Sequence, residues 1–186
     1  MDMFERMGML GGINGGGFED TGGVGNGGTP NGVVISQGKL ITGAHTVAPV
    51  IGFDKDHVLV LGKMNGQQAI ERGIRDGVSF TFCPFLIVNG VPAEVAGNGG
   101  GLNPRTCIGQ RKDGAVILVA VDGRQAGSLG ANYKDCIDIM MKYGAVNAGN
   151  LDGGTSTCMI YKGEVINSMA SLYGARKIPT AFGITN

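Results

Sequence analysis

Two of the aspartates that stand beside glycines in this sequence are placed where a carboxylate can act on a bound molecule. Asp122 closes an apolar run and precedes a glycine and Arg124, and Asp152 precedes Gly153 and Gly154. Glycines let the backbone approach a ligand closely. A carboxylate in such a loop can orient water or stabilise a developing positive charge. Each aspartate is also compatible with an ordinary turn residue that hydrogen-bonds its own loop.

Other catalytic arrangements are not favoured. The chain has two histidines and no serine clearly backed by either of them, which argues against a serine-hydrolase triad. No segment has the glycine and lysine spacing of an ATP-binding P-loop. No metal site or required cofactor is indicated, although a few acids offer a weak calcium site, with solvated surface acids as the favoured interpretation. These acids are Glu19, Asp20, Asp54 and Asp56.

Composition narrows the function classes further. Lys+Arg and Asp+Glu are both 15, so no excess of positive charge attracts nucleic acid or an anionic membrane. No run of about 18 apolar residues can span a bilayer, and the first residues lack the apolar core of a signal peptide. The sequence as it stands therefore predicts a cytoplasmic protein with no nucleic-acid or membrane partner. Homo-oligomerisation is compatible with it.

Glycine and cysteine usage are both informative. The 36 glycines follow no Gly-X-Y period, so they indicate tight turns and loops rather than collagen. The four cysteines form no C-x-x-C pair, and each lies in or beside an apolar run. Buried free thiols are therefore predicted, with disulfides left open. The cysteines are Cys83, Cys107, Cys136 and Cys158.

The elements that must position these residues are mainly strands. Residues 11–32 are too rich in Gly, Asn and Thr for regular structure and are predicted to be loop. Helices are predicted over 68–72 and 133–143, the second with Tyr133, Ile137, Met140 and Met141 on one face. Strands are predicted over 33–36, 39–41, 57–61, 78–82, 85–88, 105–108, 115–121, 158–161, 164–166 and 180–185.

These elements predict one α+β domain over residues 1–186. Hairpin turns such as Asn89-Gly90 and Asp113-Gly114 join most of the strands, so the core should be a mainly antiparallel or mixed β-sheet. One or two helices pack on it, and long glycine-rich loops carry the site. The strand over 115–121 is the most apolar and is expected to be central.

Three segments in order resemble the phosphodiester glycosidase family, which includes the lysosomal uncovering enzyme and many bacterial proteins associated with exopolysaccharide metabolism. They are INGGGFED with GNGGTPNGVVISQGK, then RTCIG with VAVDGR, then NLDGGTSTCMIYKGEVIN. Some positions depart from the family pattern: Gly17 is an extra glycine before Phe18, Thr155 replaces a smaller residue, and Ala175 replaces a glutamate before Arg176. The resemblance implies a minimal domain, or one shortened at its N-terminus.

The resemblance implies a hydrolase that cleaves a sugar, such as an N-acetylhexosamine, from a small-molecule or polysaccharide sugar-1-phosphodiester. Such a site needs a carboxylate for the positive charge at the sugar ring and donors for the phosphate. Asp152 and Asp122 are the catalytic candidates, and Arg105 and Arg124 suit two phosphate oxygens. The predicted substrate-binding residues are Asn14, Gly15, Gly16, Arg105, Arg124, Gly153, Gly154, Thr155, Ser156 and Arg176. Backbone amides of residues 15–17 and 153–155 are candidates for an anion-binding nest.

Two alternatives stay open. The first is a catalytically inactive binding module that captures a sugar phosphate or a nucleotide-like ligand. The second is a recognition subunit of a larger assembly.

Overall fold

The structure is a computed structural model that describes residues 2–21, 27–171, 174 and 176–185. The helices are α1 (Asp2–Arg6), α2 (Gly66–Glu71) and α3 (Tyr133–Lys142). The strands are β1 (Met9–Asn14), β2 (Val34–Ser36), β3 (Lys39–Thr42), β4 (Ala48–Asp54), β5 (Leu59–Met64), β6 (Ile74–Ser79), β7 (Phe85–Val88), β8 (Val91–Pro92), β9 (Arg105–Arg111), β10 (Val116–Val121), β11 (Ala145–Asn150), β12 (Met159–Tyr161), β13 (Glu164–Val165) and β14 (Ala181–Thr185).

Within the described residues the strands form three antiparallel sheets. Sheet I has the order β3-β2-β6-β4-β5, sheet II the order β10-β9-β11-β7-β8, and sheet III the order β13-β12-β1-β14. Neighbouring strands in all three pair antiparallel. The prediction of an α+β fold with a mainly antiparallel core is confirmed.

One apolar cluster joins the three sheets and supports the loops above it. Ile13 of sheet III, Ile51 of sheet I and Ile108 of sheet II are all nearly inaccessible and pack in this cluster. Leu151, the first residue after β11, is buried in the same cluster. Because Leu151 is fixed in the core, the position of the next residue, Asp152, at the edge of the core is also fixed.

Helix α3 packs on sheet II because its apolar residues recur on one face. The side chains of Asn132 and Asp135 form a capping box at its start. Cys136, Ile137 and Met140 are buried, whereas Met141 is exposed. The placement of Met141 on the buried face was wrong, and Cys136 takes that position.

The prediction that residues 11–32 are all loop was wrong, because β1 continues to Asn14. Its glycines are required by close backbone contacts. A Cβ on Gly11 would lie 2.7 Å from the carbonyl oxygen of Ile160, and one on Gly12 would clash with the carbonyl oxygen of Phe182. Glycine density marks crowding between strands here, not irregular structure.

The predicted central strand lies at an edge. β10 is the outer strand of sheet II, and β11 lies at the centre between β9 and β7. β11 has the sequence AVNAGN, whose small and polar residues do not look like a core strand. Small residues are needed there, because a Cβ on Gly149 would lie 2.9 Å from the side chain of Ile51.

A strand predicted over 78–82 ends earlier in the structure, since β6 stops at Ser79 and the chain turns away. All four cysteines are free, with Cys83 half-buried and the others buried, as predicted. Among the described residues, no helix is both long enough and apolar enough to cross a bilayer.

Candidate active site

Asp152 lies just beyond β11, where backbone and side-chain hydrogen bonds fix its position. Its amide donates to the carbonyl of Gly15 at 3.1 Å. Its own carbonyl accepts a 2.7 Å hydrogen bond from Nδ2 of Asn14. With Leu151 held in the core, these bonds tie the strand end of sheet II to the glycine loop after β1.

Asn14 is buried, at 2% exposure, and both its side-chain oxygen and its side-chain nitrogen are hydrogen-bonded to protein groups. Oδ1 accepts from the Thr106 hydroxyl at 2.7 Å and from the Cys158 amide at 3.1 Å. Nδ2 donates to Asp152, as described above. The structure therefore places Asn14 as a residue that positions Asp152 and joins sheets II and III.

The environment of the Asp152 carboxyl is only partly polar. Burial raises its pKa, while hydrogen bonds from Ser156 and the Gly153 amide and the charge of Arg176 oppose that effect. The nearby charge of Asp20 adds to the rise. A half-buried carboxyl with a raised pKa, close to a second carboxyl, is typical of catalytic sites.

Asp20 forms a strong ion pair with Arg176. The two guanidinium nitrogens contact the two carboxylate oxygens at 2.8 and 2.6 Å, which is the bidentate geometry. The guanidinium also lies 5.0 Å from the centre of the Phe18 ring and 3.4 Å from the Thr155 hydroxyl. The hydrogen bonds that Arg176 donates to Asp20 raise the pKa of Arg176, so the guanidinium stays charged.

A cavity of about 220 Å³ opens beside both aspartates. It is smaller than the roughly 300–1,000 Å³ of sites for drug-sized ligands, which suits a single sugar ring. Aromatic rings and polar side chains both line it. The lining residues are Gly17, Phe18, Asp20, Asn31, Gly32, Ala48, Ser79, Phe80, Thr81, Phe82 and Asp152.

The glycines after β1 allow close backbone packing. The amide of Gly15 donates to the Thr180 carbonyl at 2.9 Å, and that of Gly16 donates to the Thr180 hydroxyl at 3.0 Å. The amide of Gly17 donates to the Ser79 carbonyl. These donors point at protein oxygens, so the predicted anion-binding nest at residues 15–17 was wrong.

The glycines after Asp152 enter a single 3-10 turn, Gly154–Ser156. Position 154 favours glycine, because its φ is +61°. The Gly154 amide donates to the Pro104 carbonyl at 2.9 Å. The Gly153 amide caps the Asp152 carboxylate at 3.0 Å. Ser156 is buried, so its hydroxyl acts on Asp152 from within the protein.

Arg124 lies at the outer side of this turn. It is exposed, with Nη2 donating to Oδ1 of Asn103 at 2.8 Å. Its guanidinium would lie 3.4–3.6 Å from a Cβ on Gly154. In the part of the chain that the structure describes, no carboxylate lies within ion-pair distance of Arg124. Its charge is therefore available to an anion beside the Gly154 turn.

Arg105 and Asp122 bind protein groups outside the cavity. The Arg105 guanidinium is buried, donates to the carbonyls of Gly100, Gly101 and Ala131 at 2.9–3.0 Å, and lies 4.2 Å from the Tyr133 ring centre. The Asp122 carboxylate accepts from the Asn167 side chain and the Ser168 amide. Neither lines the cavity with Asp152.

The four acids considered for calcium do not gather in one place. Asp20 pairs with Arg176, whereas Asp54 accepts from the amides of Asp56 and Val58 in its own turn. In the described part of the chain, no group of three or more acidic, His or Cys side chains has a geometry that would hold a metal.

Sequence reasoning missed Asp20 as a site residue, although it closes the INGGGFED motif. It also missed the aromatic lining by Phe18, Phe80 and Phe82. Ala175 lies outside the described residues, so its departure from the family pattern has no structural reading here.

Comparison with known proteins agrees with this arrangement. The family model described as phosphodiester glycosidase matches residues 7–185. The chain belongs to the phosphodiester glycosidase family. The matched region includes every residue that lines the cavity.

Two curated proteins are similar over part of the chain. The SPbeta prophage-derived uncharacterized protein YomE of Bacillus subtilis (strain 168) is 33% identical over 125 residues, which are 63% of this chain and 19% of that protein. The N-acetylglucosamine-1-phosphodiester alpha-N-acetylglucosaminidase of Bos taurus is 34% identical over 64 residues, 34% of this chain and 12% of that protein. The matched segments thus span less than a fifth of either relative.

Solved structures share the fold. The zebrafish N-acetylglucosamine-1-phosphodiester alpha-N-acetylglucosaminidase catalytic domain, auto-inhibited by its pro-peptide, superposes with a TM-score of 0.76 at 24% identity, covering 96% of this chain and 64% of that chain. A hypothetical protein from Synechocystis gives 0.74 at 16% identity, covering 98% and 52%. A putative exported protein from Burkholderia pseudomallei K96243 gives 0.66 at 14% identity, covering 99% and 67%.

Proposed function

We propose that this chain hydrolyses a sugar-1-phosphodiester at the anomeric carbon, with Asp152 as the carboxylate at the reacting centre. The observation that carries the proposal is the half-buried Asp152 carboxyl, whose pKa is raised, on the wall of a cavity the size of one sugar ring. The bovine relative's name supports an N-acetylhexosamine as the sugar.

In the proposed reaction the bond between C1 and the phosphate oxygen breaks, and a water oxygen bonds to C1. The electron pair leaves with the phosphate, which is a weak base and hardly needs a general acid. The positive charge that develops at the ring is stabilised by ionised Asp152. Asp20 lines the same cavity, where it is paired with Arg176.

Arg124 is the proposed phosphate contact, because its guanidinium lies beside Gly154, which follows Asp152 by two residues. Arg124→Ala is expected to raise KM for a sugar-1-phosphodiester about 10- to 100-fold, the loss of a charge-assisted contact. Inhibition by the free sugar should not change. Arg75→Ala, an exposed arginine on β6, is the matched control. Equal effects on phosphodiester and free sugar would contradict the assignment.

The pH dependence follows from the state in which Asp152 acts. Since the ionised form stabilises the ring charge, kcat/KM should fall as pH falls through the Asp152 pKa, which burial places above the ordinary value of about 3.9. Arg176→Gln removes a charge that lowers this pKa, so the acid limb should move to higher pH. A profile measured from pH 3 to 9 tests both points. Activity that rises on acidification would contradict the ionised role.

Proton and phosphorus NMR of the chain with UDP-N-acetylglucosamine tests the proposed function. Release of free sugar supports the glycosidase. Ligand signals that broaden without cleavage would replace it with the binding-module alternative. Unchanged spectra would mean that a sugar-1-phosphodiester is not the ligand, and would overturn the proposed function.

A further inference from the structure

The loop between β6 and β7 exposes an aromatic ring at the cavity. Phe82 is 67% exposed, and all seven phenylalanines are described, of which it alone is exposed. It lines the cavity together with Asp20 and Asp152. An aromatic ring on the wall of a cavity that also holds two carboxylates offers a flat apolar surface to a bound molecule.

The backbone around Phe82 is fixed by the same strand end that positions Asp152. The buried side chain of Asn150 donates to the Phe82 carbonyl at 2.8 Å, and the Asn150 amide donates to the Pro84 carbonyl at 3.0 Å. Asn150 is two residues before Asp152. Asn150 thus fixes the backbone at Phe82 relative to the strand end that carries Asp152.

The backbone next to Phe82 also has an uncommon conformation. Cys83 has a φ of +45°, in the left-handed region that non-glycine residues seldom occupy. The Phe82 ring packs edge-on against Phe80, with ring centres 5.8 Å apart and planes at 64°. This contact orients the Phe82 ring, most of which remains accessible.

We propose that Phe82 is the platform on which the apolar C–H face of the substrate's sugar ring stacks, an inference that rests on the proposed function. The C–H bonds of a pyranose carry slight positive charge, and an aromatic face is electron-rich, so the two attract beyond the area they bury. Asp152 then meets the ring from another wall of the cavity. Phe82 acts as a specificity residue for a ligand with a sugar ring.

The test compares substitutions at this position. Phe82→Ala is expected to raise KM about tenfold with a smaller change in kcat, and Phe82→Tyr should stay within about twofold of wild type. The Tm of Phe82→Ala should match wild type, because the side chain is mostly exposed. A wild-type KM in Phe82→Ala would overturn the platform.

The absence of tryptophan from the chain provides a direct binding readout. In Phe82→Trp the new side chain is the sole tryptophan, and its emission should change saturably with UDP-N-acetylglucosamine. Tyr143→Trp, at an exposed position at the end of α3, is the control and should not respond. If the emission of Phe82→Trp does not change at saturating UDP-N-acetylglucosamine, the platform proposal is overturned.

The two proposals fail differently in this experiment. If wild type cleaves the substrate but Phe82→Ala has an unchanged KM, the platform is wrong and the proposed function stands. If wild type cleaves nothing but the Phe82→Trp emission saturates, the hydrolase is wrong and the sugar platform stands.

Discussion

Asp152→Asn is expected to lower kcat/KM on a sugar-1-phosphodiester by about 10²- to 10⁴-fold, the range for loss of a catalytic carboxyl. Asparagine keeps the shape of aspartate and can still accept from the Gly153 amide. It carries no negative charge, so it stabilises the developing ring charge poorly. KM should change little, since the loss is confined to the transition state.

The same variant should be more stable than wild type at neutral pH. The folded-state pKa of Asp152 is raised by burial, so the ionised carboxylate destabilises the fold above that pKa. This cost disappears at acid pH, below the unfolded pKa of about 3.9, where the group is protonated in both states. The Tm gain of Asp152→Asn should therefore be largest near pH 7 and vanish near pH 3.

Asp138→Asn on the exposed face of α3 is the control, because its carboxylate is 62% exposed and pairs only with Lys134 among the described residues. Its activity and Tm should match wild type within error. Wild-type turnover by Asp152→Asn, or a lower Tm at pH 7, would remove Asp152 from the reacting centre.

Asn14→Ala is expected to lower the free energy of unfolding by about 2–5 kcal/mol, as for other broken buried hydrogen-bond networks. The substitution leaves the Thr106 hydroxyl, the Cys158 amide and the Asp152 carbonyl without their partner. Buried polar groups without partners cost their full desolvation free energy. Urea unfolding measures the change.

Activity should also fall in the folded Asn14→Ala protein, because Asp152 loses the bond that fixes its carbonyl. Asn98→Ala is the control, since Asn98 is exposed and, within the described part of the chain, its side chain accepts a single 3.2 Å bond from its own turn. That change should stay within about 0.5 kcal/mol. Equal stability of the Asn14 and Asn98 variants would contradict the positioning role.

Local turn chemistry explains which elements were predictable. Asn89-Gly90, Gln37-Gly38 and Lys162-Gly163 each have positive φ at both residues, the conformation of tight hairpin turns. The strands predicted beside these turns were accordingly found in place, whereas β8, which follows Asn89-Gly90, was not predicted. The strand 85–88 was predicted with the bounds that β7 has.

Long-range packing explains the elements that were missed. β1 contains two adjacent glycines and β11 is mostly Gly, Ala and Asn, because neighbouring strands and Ile51 leave no room for larger side chains at the glycine positions. Such crowding depends on residues far apart in the chain, so no local pattern reveals it. β10 looked central because it is apolar, yet it lies at an edge of sheet II.

The candidate site was only partly predictable, because some of its contacts join residues that are far apart in the chain. Motif order pointed to Asp152 and to the glycines around it, and the structure places Asp152 on a cavity wall. The pairing of Asp20 with Arg176 joins residues 156 positions apart, which spacing does not reveal. Arg105 looked like a phosphate ligand by type, but its donors bind backbone carbonyls.

The most direct test of the account is to find which bond breaks. Wild-type protein is incubated with a sugar-1-phosphodiester in ¹⁸O-labelled water, and the released phosphate is examined by phosphorus NMR, where ¹⁸O bonded to phosphorus shifts the signal. Attack at the anomeric carbon predicts an unlabelled phosphate product. Label in the phosphate would mean that water attacks phosphorus, and would contradict the proposed glycosidase.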